Sequence, residues 1–190
     1  MALPPHAFDR ARELLRRLVS ERTFRHCLAV VEEAQRLAAP YDADVAAARW
    51  AGLLHDCAKE LDGAACLAAA GEARLEVLPE ERAHPRVLHQ RVGARWAAER
   101  FGVTAAAVLE AIGCHTTGKG EMDGLSRCLF VADWTSSDRD YDGVDTLREA
   151  VAKGPAEGFV AVLRCKREVV RVRGLPQHPW AREAYERWLG

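Results

Sequence analysis

Six side chains of the types that hold transition metals are spread along this chain: His26, the adjacent pair His55 and Asp56, His89, His115 and Asp133. Each stands in an apolar helical segment or at the end of one. A buried imidazole or carboxylate costs free energy unless it is paired or bound to a metal. One histidine on an apolar face is most simply a satisfied core residue, but a series drawn from separate helices is harder to explain that way. Neutral imidazole together with carboxylate oxygen suits iron, manganese, cobalt or zinc. The chemistry open to this set is therefore metal coordination.

The His55-Asp56 doublet places a demand on local structure. Neighbouring residues of a regular helix point about 100° apart, so both cannot face one site deep inside a helix. They can do so at a helix end, and the sequence reads LLHDCAKELDG just there.

Apolar residues recur at three- and four-residue spacing almost throughout, and no segment alternates with period two. The expected fold is all-α. Phe8, Ala11, Leu14, Leu15 and Leu18 make one amphipathic helix. A second runs from a cap at Thr23 to Pro40, and a third is capped by Asp42 or Asp44 and carries His55. Asp62 opens a short alanine-rich helix ending near Gly71. After a loop through Pro79, a helix from about Pro85 carries His89 and ends at Gly102. Thr104 caps the next, which reaches Cys114 or His115. Residues 116–124 read as loop, Leu125 to Trp134 as helix, and 135–143 as polar loop. Helices follow from Val144 to Lys153, from Pro155 onward, and around Trp180, Tyr185 and Trp188. The chain reads as one domain, with a core at about 20–150 and C-terminal helices over 155–190 packed on it.

The chain has 190 residues, 27 basic and 28 acidic, for a net charge of −1. That length suits one domain with a substantial core. The charge balance argues against a protein that wraps nucleic acid, which needs a basic face, yet leaves room for a small phosphorylated ligand. The N-terminus lacks the apolar run of a secretion signal, and no stretch approaches a membrane span. Six cysteines, at 27, 57, 66, 114, 128 and 165, form no CxxC pair. They read as reduced, packed residues of a cytoplasmic protein.

The order H…HD…H…H…D resembles the HD superfamily of metal-dependent phosphohydrolases. More narrowly, the chain is similar to the YqeK-type HD hydrolases, the symmetrical diadenosine tetraphosphate hydrolases. The matching stretches are RHCLAVVEEAQRLA (25–38), AGLLHDCAKEL (51–61), HPRVLHQRVGA (84–94), AIGCHTTG (111–118), LFVADW (129–134) and GVDTLREA (143–150). The resemblance implies a single HD-domain helical bundle that hydrolyses diadenosine tetraphosphate to two ADP. It makes His26, His55, Asp56 and Asp133 the core metal ligands. His89 and His115 become ligands of a second metal or contacts to phosphate. Lys59 and Thr116 would touch phosphate and Arg139 the nucleotide. The implied cofactor is one or two divalent transition metal ions, iron foremost, with manganese, cobalt or zinc as alternatives. A homodimer is compatible with the family.

The chemistry fits those residue types. A bound divalent metal lowers the pKa of its water and polarises a phosphoryl oxygen. Two metals could share Asp56, whereas with one metal, protonated His89 and His115 would supply the remaining positive charge. Lys59 and Arg139 would hold the polyphosphate and stabilise transition-state charge. The chain departs from the family pattern where WTSSDR replaces a Glu-Pro before the arginine, and where Thr23 replaces an arginine before His26. Alternatives in kind are an HD phosphohydrolase acting on another nucleotide, a nucleotide-binding regulator without turnover, and a helical scaffold with structural histidines.

Other polar residues have plainer readings. His84, beside Pro85, suits a cap or the surface, and His6 and His178 suit solvent near the chain ends. The cysteines beside the ligands suit packing. Arg164, Lys166, Arg167, Arg171 and Arg173 form a solvated face that could also close over a polyphosphate. The Asp138-Arg139-Asp140 run suits an exposed loop with local ion pairs, from which the resemblance lifts only Arg139.

Overall fold

The structure, a computed structural model, describes residues 5–190. Among these are eleven α-helices and no strand: α1 (Pro5–Leu18), α2 (Glu21–Ala38), α3 (Val45–Leu54), α4 (Gly63–Glu72), α5 (Pro79–Ala83), α6 (His89–Phe101), α7 (Ala106–Cys114), α8 (Gly124–Thr135), α9 (Val144–Lys153), α10 (Pro155–Val172) and α11 (Pro179–Leu189). Side-chain oxygens of Ser20, Asp44, Asp62 and Asp123 each accept from the third backbone N–H of the helix they open, a contact worth about 1 kcal/mol.

Three local expectations are corrected and one left open is resolved. The cap of α2 is Ser20, not Thr23, because the Thr23 hydroxyl instead donates to Glu60 at 2.8 Å. Of the two candidate aspartates before α3, Asp44 is the cap, and Asp42 turns the chain with a left-handed φ of 54°. The expected loop through Pro79 contains α5, and Pro85–Leu88 winds as a 3-10 turn ahead of α6. No side chain caps α7, which starts at Ala106 rather than behind Thr104.

Helices α2, α3, α7 and α8 pack around one core, with α6 against α7, α10 against α8 and α9, and α11 against α10. Leu53, Leu54, Ile112, Leu129 and Phe130 are fully buried there, each stabilising the fold by about 1.5–3 kcal/mol. A Cβ on Gly52 would stand 3.0 Å from the Val31 Cα. The absence of that side chain lets α3 lie directly on α2, which brings His26 and His55 together with their ring centroids 5.2 Å apart.

His178 is not solvated as expected. It is buried, caps α11 by accepting from Trp180 N–H, and sets Nε2 3.3 Å from Glu81 of α5. Glu81, itself fully buried, also receives two hydrogen bonds from Arg91 and one from Leu78 N–H. This network ties the last helix to the ligand-bearing half of the molecule. The side chain of His6 lies outside the described residues. No described helix is long and apolar enough to cross a membrane.

Candidate metal centre

Three histidines are oriented by the same device. His55 follows the last residue of α3, His115 follows that of α7, and His89 follows the 3-10 turn. Each ring sets Nδ1 against the backbone carbonyl three residues back: Gly52 at 2.8 Å, Ile112 at 2.8 Å and Arg86 at 2.7 Å. The last carbonyls of a helix have no intrahelical donor, so those of Gly52 and Ile112 are free to accept from Nδ1–H, while the Arg86 carbonyl takes the His89 backbone N–H as well. The Nδ1–H bond leaves Nε2 with its lone pair, turned inward, as a ligand nitrogen requires. His26, inside α2, reaches the same state differently, with Nδ1 2.9 Å from the Asp138 carboxylate.

The four Nε2 atoms converge on Asp56 and Asp133. His26 Nε2 lies 2.9 Å from Asp133 Oδ1, and His55 Nε2 lies 3.5 Å from Asp56 and 3.7 Å from Asp133. His89 and His115 Nε2 stand 3.2 and 3.4 Å from Asp56 Oδ1. His55 Nε2 and Asp56 Oδ1 are buried and make no hydrogen bond among the described residues. Lone pairs and carboxylate oxygens facing each other so closely repel unless a cation lies among them, so the donor set fits a divalent metal. The ligand atoms fall into three close groups: His26, His55 and Asp56; His55, His115 and Asp133; and Asp56, His89 and His115. Asp56 belongs to the first and the last.

The electrostatics agree. Burial alone would raise the pKa of Asp56, but His55 and Lys59 outweigh it and hold the carboxyl well below its ordinary value. Burial likewise opposes ionisation of Asp133, and Arg139 and His26 overcome it. Burial lowers His115 to about 4, and burial with the Lys59 charge lowers His89. Both rings are therefore neutral near pH 7, which favours ligation over the protonated pair considered above. Burial also opposes protonation of His55, yet Asp56 and Asp133 raise its pKa overall, as expected of a ring facing two anions.

The doublet works because α3 ends between its members. From His55 the chain proceeds in i→i+3 turns, Cys57 N–H to Leu54 and Lys59 N–H to Asp56. Residues three apart eclipse in such turns, so Lys59 stands over Asp56 with Nζ 3.3 Å from both Asp56 Oδ1 and His89 Nε2. Thr116 Oγ1 sits 3.1 and 3.0 Å from the Nε2 atoms of His89 and His115. Arg139 does not stand clear of the ligands. Its guanidinium bonds the Asp133 carboxylate and carbonyl and lies 3.2 Å from His26 Nε2.

Three supporting residues escaped the sequence reading. Asp138, read as part of an exposed loop, orients His26. Gln90, fully buried, accepts from the N–H groups of Thr116 and Thr117 at 3.0 and 3.1 Å and so fixes the loop after His115. Glu60 accepts from Ser20 and Thr23 and anchors the start of α2 beside the Lys59 turn. A signal existed for Gln90, a polar residue next to His89 in an apolar helix. None existed for the others, since a lone loop carboxylate has no pattern. His84 lies between α5 and the 3-10 turn and belongs to none of the ligand groups. The ligand groups contain no cysteine, and burial raises the thiol pKa of Cys57, Cys114 and Cys128 to about 12.

Residues 23–138 match the HD domain family. The chain is 31% identical over 147 residues to a symmetrical bis(5'-nucleosyl)-tetraphosphatase of Staphylococcus aureus, covering 74% of this chain and 72% of that one. It is 30% identical to the protein of the same name from Halalkalibacterium halodurans, over 73% of this chain and 74% of that one. Among solved structures it is similar to a predicted HD superfamily hydrolase from Clostridium acetobutylicum described as involved in NAD metabolism. The TM-score there is 0.90 at 30% identity, over 96% of each chain. With its ordered histidines and aspartates gathered at the ends and faces of packed helices, this chain belongs to the HD-domain family.

Proposed function

We propose that the chain is a metal-dependent phosphohydrolase that cleaves diadenosine tetraphosphate at its centre to give two ADP. The observation that carries this reading is the convergence of four histidine Nε2 atoms on the buried Asp56 and the partly buried Asp133. The names of the Staphylococcus and Halalkalibacterium relatives supply the substrate. His26, His55, Asp56 and Asp133 would be the core ligands, and His89 and His115 would hold a second metal or contact the substrate phosphate. Iron suits the mixed nitrogen and oxygen set. In this reading the 190 residues act as one unit, with residues 155–190 completing the HD core, and work in the cytoplasm, where buried thiols stay reduced.

Bound there, a divalent metal supplies an acidified water and a Lewis acid for a phosphoryl oxygen. The remaining work falls to the chain. Lys59, on the open side of Asp56, meets charge that builds on the non-bridging oxygens. Thr116 O–H donates to the phosphate beside His89 and His115. Arg139 holds Asp133 in place and presents its remaining N–H groups to the nucleotide. Water oxygen bonds to one central phosphorus as that atom's bond to the central bridging oxygen breaks. The departing ADP leaves as a stable anion, so no strong general acid is required.

Chromatography of the products tests the assignment. Two ADP and no ATP or AMP is the expected outcome, while ATP plus AMP, or no cleavage by metal-loaded protein, contradicts it. The description of the Clostridium relative favours a second reading, an HD phosphohydrolase acting on another nucleotide. That reading would show as faster turnover of a mononucleotide than of the dinucleotide in the same assay.

A further inference from the structure

Two cavities flank the metal centre. One, of about 400 Å³, reaches His89 and Thr116 and is walled by apolar side chains of the C-terminal segment, Val169, Val170, Leu175, Pro176, Ala181 and Tyr185. The other, of about 1020 Å³, reaches His26 and Asp56 and is lined by Arg22, Arg25, Arg139 and Tyr141. Both sizes match ligand pockets, which run from about 300 to 1,000 Å³. The cavities share three residues, Lys59, Arg86 and Arg173. Three cations therefore stand where the two spaces meet, beside the ligands. Arg86 and Arg173 are exposed and make no salt bridge among the described residues. They come from opposite parts of the chain, the 3-10 turn before α6 and the end of α10.

A linear molecule with an anionic middle and two aromatic ends fits this arrangement, and central cleavage requires that its two halves lie on opposite sides of the reacting atoms. We propose that Arg86 and Arg173 grip the middle phosphates at the neck, and that the apolar cavity under α10 and α11 seats the second nucleoside. The proposal rests on the dinucleotide reading above. It makes the C-terminal helices part of the substrate site and predicts a preference for two nucleosides over one. Lys166, whose Nζ lies 5.4 Å from the Trp134 ring, lines the smaller cavity and adds a further cation there.

The test compares diadenosine tetraphosphate with adenosine 5'-tetraphosphate, which keeps the phosphates and lacks the second nucleoside. In wild type, kcat/KM should favour the dinucleotide. Val170→Trp fills the apolar cavity and should cut that preference at least about tenfold, mainly through KM, with metal content retained. Arg173→Ala removes one exposed contact to phosphate and should lower kcat/KM on both substrates by about tenfold or more. Arg171→Ala, on the same helix but lining neither cavity, should match wild type. A folded Val170→Trp variant with the wild-type preference overturns the cavity assignment. Arg173→Ala behaving as Arg171→Ala overturns the clamp, and does so even where Val170→Trp does not fold. Wild type that ignores the dinucleotide overturns the functional reading itself, and this inference with it.

Discussion

Lys59 and Arg139 carry the same charge to the same opening but touch different atoms, and their variants should differ accordingly. Lys59 is partly exposed and meets one edge of Asp56, whereas Arg139 grips Asp133 and borders His26. Lys59→Ala should keep its metal and lose tens- to hundreds-fold in kcat/KM, the equivalent of about 2–3 kcal/mol. Arg139→Ala should lose activity and metal together, because Asp133 loses its largest source of charge stabilisation. Kinetics and metal analysis on the same preparations check this, and full metal in Arg139→Ala would refute the supporting role. The six candidate ligands were legible in the sequence because metal binding restricts residue type. Asp138 and Gln90 were not, because a loop carboxylate and a neutral amide gain their roles only from tertiary neighbours.

At the scale of elements, helix ends do the positioning. α3 and α7 stop just before His55 and His115, which frees Gly52 and Ile112 carbonyls for the ring N–H groups. Periodicity located nearly every helix. It missed α5, whose five residues are too short to show a period, and it missed the role of His178. That residue faces Glu81 across 97 positions of sequence, a contact no local pattern announces. His178→Ala removes a helix cap and a partner of a buried carboxylate, so it should destabilise the fold by about 1–3 kcal/mol. Thermal unfolding reads this out, and a Tm equal to wild type would show that α11 is held by apolar packing alone.

For the whole molecule, the site taxes stability in a pH-dependent way. Burial holds His115 at about 4 against an ordinary 6.5, and His89 is lowered in the same direction. Between those values the unfolded chain binds protons that the native rings refuse, so stability falls as pH is lowered through that window. Asp56 and Asp133, both depressed, add a loss of the same sign as pH falls further, below the unfolded carboxylate value. His55, raised, acts oppositely and only above its ordinary value. Metal-stripped protein should therefore show a falling Tm from pH 7 to pH 5. An unchanged Tm over that range would mean that the histidines are not held neutral.

Whether six side chains from separate helices form one metal centre is tested most directly by metal content. Protein without a histidine tag, prepared without chelator and offered ferrous iron, should carry one or two transition metal ions per chain. Asp56→Ala should bind far less while keeping the helical circular dichroism of wild type. Wild-type protein that holds no metal, and takes none up when it is added, would mean that these six side chains form no metal centre.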